Sequence, residues 1–404
     1  MNTEQQHRSE VLFGKPVVDM LFRVHEDAKW IIENIGVGCT QPEILEAFKS
    51  QDKDGLVLFH EGRIYLDKSL IEGLLKTVPG ISEFFVPRNA LFIGGTAPYI
   101  YDDVAGKGGK IPTAKDVEKI ARIAQASDIV SGMGRGVKLK DEVEQMEVMA
   151  KHCQKPLYVA ATSDAAISRA QALYLDRGNI MVVFCLTRPP LQVNENFSHA
   201  FVKVVEKGIP VFISAMPMAG ISAPYSYNGV LAMTHAEVLF GICASQALNP
   251  GAVVVHGGFP TIADPAQDYN PDYGKVSHQV LNLLMAHLNM ILDLPTIQSG
   301  GTTNEEHPSV KALEDARTGL AMAKKYGFHM LRHPFGFLKQ LVDFSFEKFE
   351  KAIDIAASVS SDQAPELTIP GYDEKGFESI QQRQLDMYMD DPLTTANMGR
   401  IFTS

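Results

Sequence analysis

Residues 210–260 read PVFISAMPMAGISAPYSYNGVLAMTHAEVLFGICASQALNPGAVVVHGGFP. Two short apolar runs, 211–214 and 252–255, each enter from a turn signal, Gly208-Ile209-Pro210 and Asn249-Pro250-Gly251. Between them a long helical pattern sets Leu231, Val238, Leu239 and Ile242 on one side. Apolar runs of this length, separated by a helix of this length, specify a βαβ unit in a parallel sheet. Just past the runs come Met216, Met218, Tyr225, Tyr227 and Asn228, then His256-Gly257-Gly258. Ligands of parallel α/β folds meet the carboxyl ends of strands, so the ligand is expected here.

The same unit repeats along the chain. Strand-like runs fall at 90–93, 128–131, 157–160, 181–185, 211–214, 252–255, 296–298 and 328–331. Helical patterns follow at 114–126, 140–152, 164–175, 194–207, 227–246, 273–292, 304–326 and 336–357. This alternation predicts an α/β fold of the (β/α)8 TIM-barrel type. A doubly wound sheet would favour a GxGxxG turn after its first strand, and here that turn reads GGTAPY. Ahead of the barrel, helical stripes at 17–34, 42–50 and 69–76 and a hairpin at 55–67 predict a small N-terminal α+β unit over 1–88. Trp30 lies on the first stripe and is assigned to packing. The barrel is expected over 89–357 and an irregular C-terminal arm, with a short helix near 376–389, over 358–404. Residues 1–10 are polar and expected to fray.

With 404 residues and 45% hydrophobic content, the chain can bury a large core. A net charge of −11 disfavours a phosphate-backbone partner, so no nucleic acid is expected. The opening MNTEQQHRSE lacks a signal-peptide pattern, and no apolar run approaches the ~20 residues of a membrane span. Cys39, Cys153, Cys185 and Cys243 are scattered without CxxC spacing, the pattern of reduced and mostly buried thiols. A cytoplasmic homo-oligomer without a membrane partner is the expectation.

At the expected mouth, Tyr99, Tyr101, Asp102 and Asp103 follow the first strand, and Met133-Gly134-Arg135 closes the second. Ser163 or Asp164 after the third reads first as a helix N-cap. No lysine closes a strand, which argues against Schiff-base chemistry. Neither a glycosidase carboxylate pair nor a clear metal-ligand set is present, so no bound metal is expected in this chain. Methionine, tyrosine and glycine instead suit a weakly hydrated cation held by aromatic faces, or a planar cofactor presented from outside. The turn Ser299-Gly300-Gly301-Thr302-Thr303-Asn304 offers backbone N–H groups, and Gly300, Gly301 and Thr302 are candidates for phosphate or cofactor contact.

The 217–260 segment resembles the trimethylamine methyltransferase (MttB-like) superfamily at Pro217, Gly220, Pro224, Gly229, Glu237, Pro250 and Gly251. VHEDAKWIIENIGV is similar to that family's opening helix, and Asp103, Gly106, Pro112, Thr113 and Asp116 match a further motif. LDLPTIQSGGTTN resembles its Gly-Gly-Thr turn. The chain departs from the family pattern at Ser277-His278, Asn304 and Ser309-Val310-Lys311-Ala312. The resemblance implies a TIM barrel that moves a methyl group from a methylated amine to the Co(I) of a corrinoid (cobalamin) carried by a separate partner protein. The sequence has no pyrrolysine, which within that resemblance implies a quaternary, betaine-type amine. Such a nitrogen leaves as a neutral tertiary amine and needs no general acid. Tyr99, Tyr101, Tyr225, Tyr227 and Asn228 are then candidates for the substrate cage. His256, Gln298 and Arg332 are candidates to hold a substrate carboxylate, with His256 and Gln298 closest to the chemistry. Glu237 reads as a structural hydrogen-bonding group. The alternatives are a non-catalytic barrel that binds methylated amines and a lyase or isomerase with a phosphorylated ligand at SGGTTN.

Overall fold

The computed structural model describes residues 1–265 and 268–402. Its centre is an eight-stranded sheet of β1 (Ala90–Ile93), β2 (Gly132–Met133), β3 (Leu157–Val159), β4 (Ile180–Phe184), β5 (Val211–Ile213), β6 (Val254–His256), β7 (Ile297–Ser299) and β8 (Met330–Arg332). Each strand lies parallel beside its successor, β8 pairs with β1, and a bridge between His256 and Thr296 joins β6 to β7. The ring is the expected TIM barrel. Around it run α1 (Ala114–Ala126), α2 (Glu142–His152), α3 (Asp164–Arg177), α4 (Glu195–Glu206), α5 (Tyr227–Leu248), α6 (Val276–Ile291), α7 (Val310–Tyr326) and α8 (Phe346–Ser358). Helix starts follow the local chemistry: Thr113 and Asp116 form a capping box on α1, and the Ser163 hydroxyl accepts from Ala166 N at 3.2 Å on α3.

The second strand lies later than the run 128–131 suggested. Inward positions at its start and just past its end are Gly132 and Gly134, where a Cβ would come within 2.3 Å of the Phe92 ring and 2.0 Å of the Tyr158 ring. Glycines chosen to admit neighbouring rings carry no β-strand signature. Ala90, Phe92, Tyr158, Met181, Phe212, Val255, Ile297 and Met330 fill the barrel, and Phe84 and Val86 from the preceding segment join the same cluster. Alternation then sends His256 and Gln298 outward, toward the helices.

Residues Thr3–Phe13 form a helix rather than a frayed end. Asn2 caps it, the Ser9 hydroxyl meets His287 Nδ1 on α6 at 2.8 Å, and Arg88 donates to Gln5 at 2.6 Å. Its anchors are buried polar side chains, which an apolar-stripe reading assigns to solvent. Helices Lys15–Asn34, Pro42–Gln51 and Lys68–Leu75 and a hairpin of Val57–His60 with Arg63–Leu66 follow as expected. Glu61 and Gly62, with φ of 47° and 73°, make its turn. The C-terminal arm holds Glu374–Arg383 and Pro392–Asn397, and residues 403 and 404 lie outside the described residues. A large apolar cluster, separate from the one that fills the barrel, draws on residues from Val17 to Phe402.

Candidate functional site

A cavity of about 1060 Å³ opens at the carboxyl end of the strands. Its deep wall is Tyr158, Val183, Cys185, Ser214 and Arg332, and its outer wall includes Arg135, Lys138, Glu142 and Phe197. Inward alternation explains the deep set: Met181 and Val183 on β4 lead to Cys185 just past its end, and Phe212 on β5 leads to Ser214 just past its end. Glycines make the room. A Cβ on Gly94 would lie 2.3 Å from the Arg332 Cβ, and one on Gly257 would lie 1.8 Å from the Phe212 ring.

Arg332 dominates the electrostatics. It is 6% exposed, yet no carboxylate meets it among the described residues. One terminal nitrogen donates to Ser214 Oγ at 3.4 Å and to the Gly257 carbonyl at 3.3 Å, and Ser214 Oγ donates to that carbonyl at 3.1 Å. Its carbon sits 4.9 Å from the Phe212 ring centroid and 5.4 Å from that of Phe259. Nε has no partner. Burial lowers its pKa, with Tyr158 and Cys185 acting in the opposite sense. Burying an unpaired ion costs several kcal/mol even after relaxation. A cavity that ends on such a cation is built for an anionic group.

Tyr158 lies beside it, its hydroxyl accepting from Gly95 N at 2.7 Å and its pKa raised by burial to about 12. The Cys185 thiol opens into the cavity, unlike the buried Cys39, Cys153 and Cys243, and burial in the mouth raises its pKa. Near the rim, Glu142 accepts from Thr162 N at 2.8 Å, and Arg135 donates to Gln145 at 3.2 Å. Sequence reading passed over Tyr158, Cys185 and Ser214 because each lies in or beside an apolar run. The usable signal was the two-residue alternation along the strands.

The other expected site residues lie elsewhere. Tyr225 is 2% exposed and Tyr227 8%, both packed beneath Phe402 of the arm at ring separations of 5.0 and 4.7 Å. Asn228 holds the backbone of Asp373 in both directions, at 3.0 and 3.1 Å. Tyr99 stands on an added strand, Tyr99–Asp102, and the Tyr101 hydroxyl meets His307 Nδ1 at 2.9 Å. Among the described residues, none of these five lines the mouth cavity. The rings that do line the cavity are Tyr158 and Phe197, while Phe402 of the arm covers Tyr225 and Tyr227. Gln298 donates to Thr296 Oγ1 at 3.1 Å on the outer face of β7, and His256 meets His235 of α5 at 3.1 Å. The amides of Gly300 and Gly301 go to the Arg332 carbonyl at 3.1 Å and to Gln279 at 3.4 Å, and Thr302 donates to the Tyr273 carbonyl at 3.1 Å. These three donors are spent inside the protein, and α7 begins only at Val310.

A family model described as trimethylamine methyltransferase (MTTB) matches residues 17–384. The chain belongs to that family. It is 26% identical over 368 residues to the glycine betaine methyltransferase of Desulfitobacterium hafniense, covering 84% of this chain and 75% of that one. It is 23% identical to the proline betaine:corrinoid methyltransferase of Eubacterium limosum, over 72% of this chain and 65% of the relative. With the trimethylamine methyltransferase MttB of Methanosarcina thermophila it shares 27% identity over 44% of this chain and 36% of that one. Among solved structures, the monomethylamine methyltransferase of Methanosarcina barkeri aligns with a TM-score of 0.47 at 12% identity, over 95% of this chain and 86% of that one. Several residues that carried the MTTB resemblance have structural roles in this chain. Glu237 accepts from Thr187 Oγ1 and Leu191 N, each at 2.8 Å, and Asp103 accepts from Ser345 Oγ at 2.6 Å at the start of α8.

Proposed function

We propose that this MTTB-family chain takes a methyl group from a betaine-type quaternary amine and passes it to the Co(I) of a separate corrinoid protein. The observation that carries the reading is the unpaired guanidinium of Arg332 at the floor of the mouth. A betaine has a carboxylate that trimethylamine lacks, and Arg332 is suited to receive it. The onium end would then point outward past the ring faces of Tyr158 and Phe197, with the Glu142 carboxylate near the rim. The cavity exceeds what a small amine needs, which leaves the methyl end open to a large macrocycle from the partner. When bound, the corrinoid supplies the nucleophile. The protein's own residues fix the carboxylate, strip water from the cation and aim one methyl group at the opening. The C–N electrons leave with the amine, so no proton has to be delivered.

The test is incubation with Co(I) cobalamin and a panel of glycine betaine, proline betaine, trimethylamine and tetramethylammonium. Transfer is followed by the visible spectrum and by NMR of the demethylated amine. Turnover with the carboxylate-bearing amines is expected. Failure of every betaine, or equal turnover of tetramethylammonium, would sink the reading.

A further inference from the structure

The peptide unit joining Gly257 to Gly258 faces two ways. Its carbonyl, at the barrel mouth, accepts from Arg332 at 3.3 Å and from Ser214 Oγ at 3.1 Å. Its N–H points the other way and donates to His256 Nδ1 at 3.2 Å. A peptide is planar, so a bond that fixes its N–H also fixes the direction of its carbonyl. Both glycines flanking this plane are sterically demanded: a Cβ on Gly257 would strike Phe212, and one on Gly258 would come within 2.7 Å of the His256 ring. Neither glycine brings a side chain to hold the plane, so its tilt is set by backbone bonds on either side, Gly257 N to the Ile213 carbonyl and Phe259 N to the Ala215 carbonyl, each at 2.8 Å, and by the bonds to its own N–H and carbonyl.

His256 is itself the end of a row. Its Nε2 lies 3.1 Å from His235 Nδ1, and His235 Nε2 lies 2.9 Å from His25 Nδ1 on helix Lys15–Asn34. His25 Nε2 faces Glu72 Oε1 at 3.8 Å, and Glu72 also takes Lys29. An amide N–H only donates, so His256 Nδ1 must accept. Burial keeps all three rings neutral, each with its pKa held far below the usual value. Each ring then has one proton, and the direction set by Gly258 propagates: every ring carries it on Nε2 and donates to the next, ending toward the Glu72 carboxylate.

We infer that His256, oriented by His235 and His25, is a positioning residue that holds the Gly257 carbonyl against Arg332 and so sets the anion-binding pose of the mouth. His256 faces away from the cavity and does not touch the ligand. The inference rests on the reading of Arg332 as the carboxylate anchor, and it gives the N-terminal helices a part in the site.

The experiment compares wild type, His256→Leu, His256→Asn and Arg332→Leu by calorimetric titration with glycine betaine and with tetramethylammonium, which has no carboxylate. Asparagine keeps an acceptor where Nδ1 lies. His256→Leu is expected to weaken glycine betaine about tenfold, as befits one lost bond to a buried polar group, whereas His256→Asn stays within about twofold. Neither change should move tetramethylammonium. Arginine-labelled protein gives a reading without ligand: exchange of the Arg332 guanidinium protons with water should quicken at least tenfold in His256→Leu and recover in His256→Asn. If wild type binds glycine betaine and Arg332→Leu abolishes it while His256→Leu leaves affinity and exchange unchanged, positioning is overturned and the anchor stands. If wild type binds no betaine, the functional reading fails, and the exchange rates alone decide the positioning role.

Discussion

A guanidinium in a buried mouth whose hydrogen bonds, among the described residues, go to a hydroxyl and one peptide carbonyl and to no carboxylate works against the stability of the ligand-free protein. Arg332→Met keeps much of the volume and removes the charge. It is expected to raise the melting temperature by a few degrees, the usual consequence of replacing a poorly compensated buried ion by an apolar side chain. The same change should weaken glycine betaine roughly 10–100-fold, the span of a charged hydrogen bond. Calorimetry measures both, and a lowered melting temperature would mean that the cation is better satisfied than its contacts indicate. Glu237 is a second buried charge with an opposite history. Burial raises its pKa to about 7, against the lowering effect of Leu191 N and Thr187. Its unfolded carboxyl releases its proton near the ordinary value of about 4.3. Between those values the native state holds a proton that the unfolded chain has lost, so this contribution to stability falls as pH rises and levels off above about 7. Glu237→Gln should flatten that part of the stability–pH curve, by an amount on the order of 3 kcal/mol between pH 4 and 8. Equal slopes for the two proteins would refute the assignment. These residues show what the sequence could convey. Glu237 is one charge in an apolar helix, so its structural role was readable. Arg332 was expected at the mouth from its place at the end of the last strand, and it lines the cavity there. His256 was placed on the wrong face, because Val253–His256 is too apolar for alternation to reveal itself.

Among the elements, the first helix and the last arm were the hardest to foresee, and for one reason. Both are held by a few polar or aromatic contacts rather than by a stripe. Thr3–Phe13 depends on Ser9 and Gln5 against His287 and Arg88, and Phe13 adds a ring stacked on Tyr326 at 5.4 Å. Ser9→Ala should cost about 1 kcal/mol, and amide exchange over residues 3–13 should quicken while the barrel strands stay protected. Exchange unchanged at those amides would return the segment to a loosely attached end. The arm is fixed at its far end by Phe402 on Tyr225 and Tyr227, and by Asn397 donating to the Tyr225 carbonyl at 3.0 Å. Strand–helix alternation, by contrast, was visible throughout, because the short barrel strands bury both faces while most of the helices between them keep one face in solvent. Only β2, built from glycines at its inward positions, escaped it.

At the scale of the molecule, α5 decides how the parts cohere. From Tyr227 to Ala247 every residue is buried, including Glu237 and the relay histidine His235. It is the one helix among the described residues long and apolar enough to cross a membrane, and it lies wholly inside the protein. A helix apolar on all sides needs cover on all sides. The barrel supplies one side. Lys15–Asn34, Pro42–Gln51 and Lys68–Leu75 supply the other, with Glu374–Arg383 of the arm beside them. The N-terminal unit is thus the outer half of the α5 environment, and His25 reaches through it to the relay. Residues 1–88 and 89–404 are therefore predicted to unfold together: a single calorimetric transition, with the van't Hoff enthalpy equal to the calorimetric one. A chain beginning at residue 89 would leave the outer face of α5 bare. It is expected to bind a hydrophobic dye, aggregate and show no cooperative melt. A cooperative melt from that shortened chain, with α5 amides still protected, would show that the barrel closes over its own helix and that the N-terminal unit only rests on it.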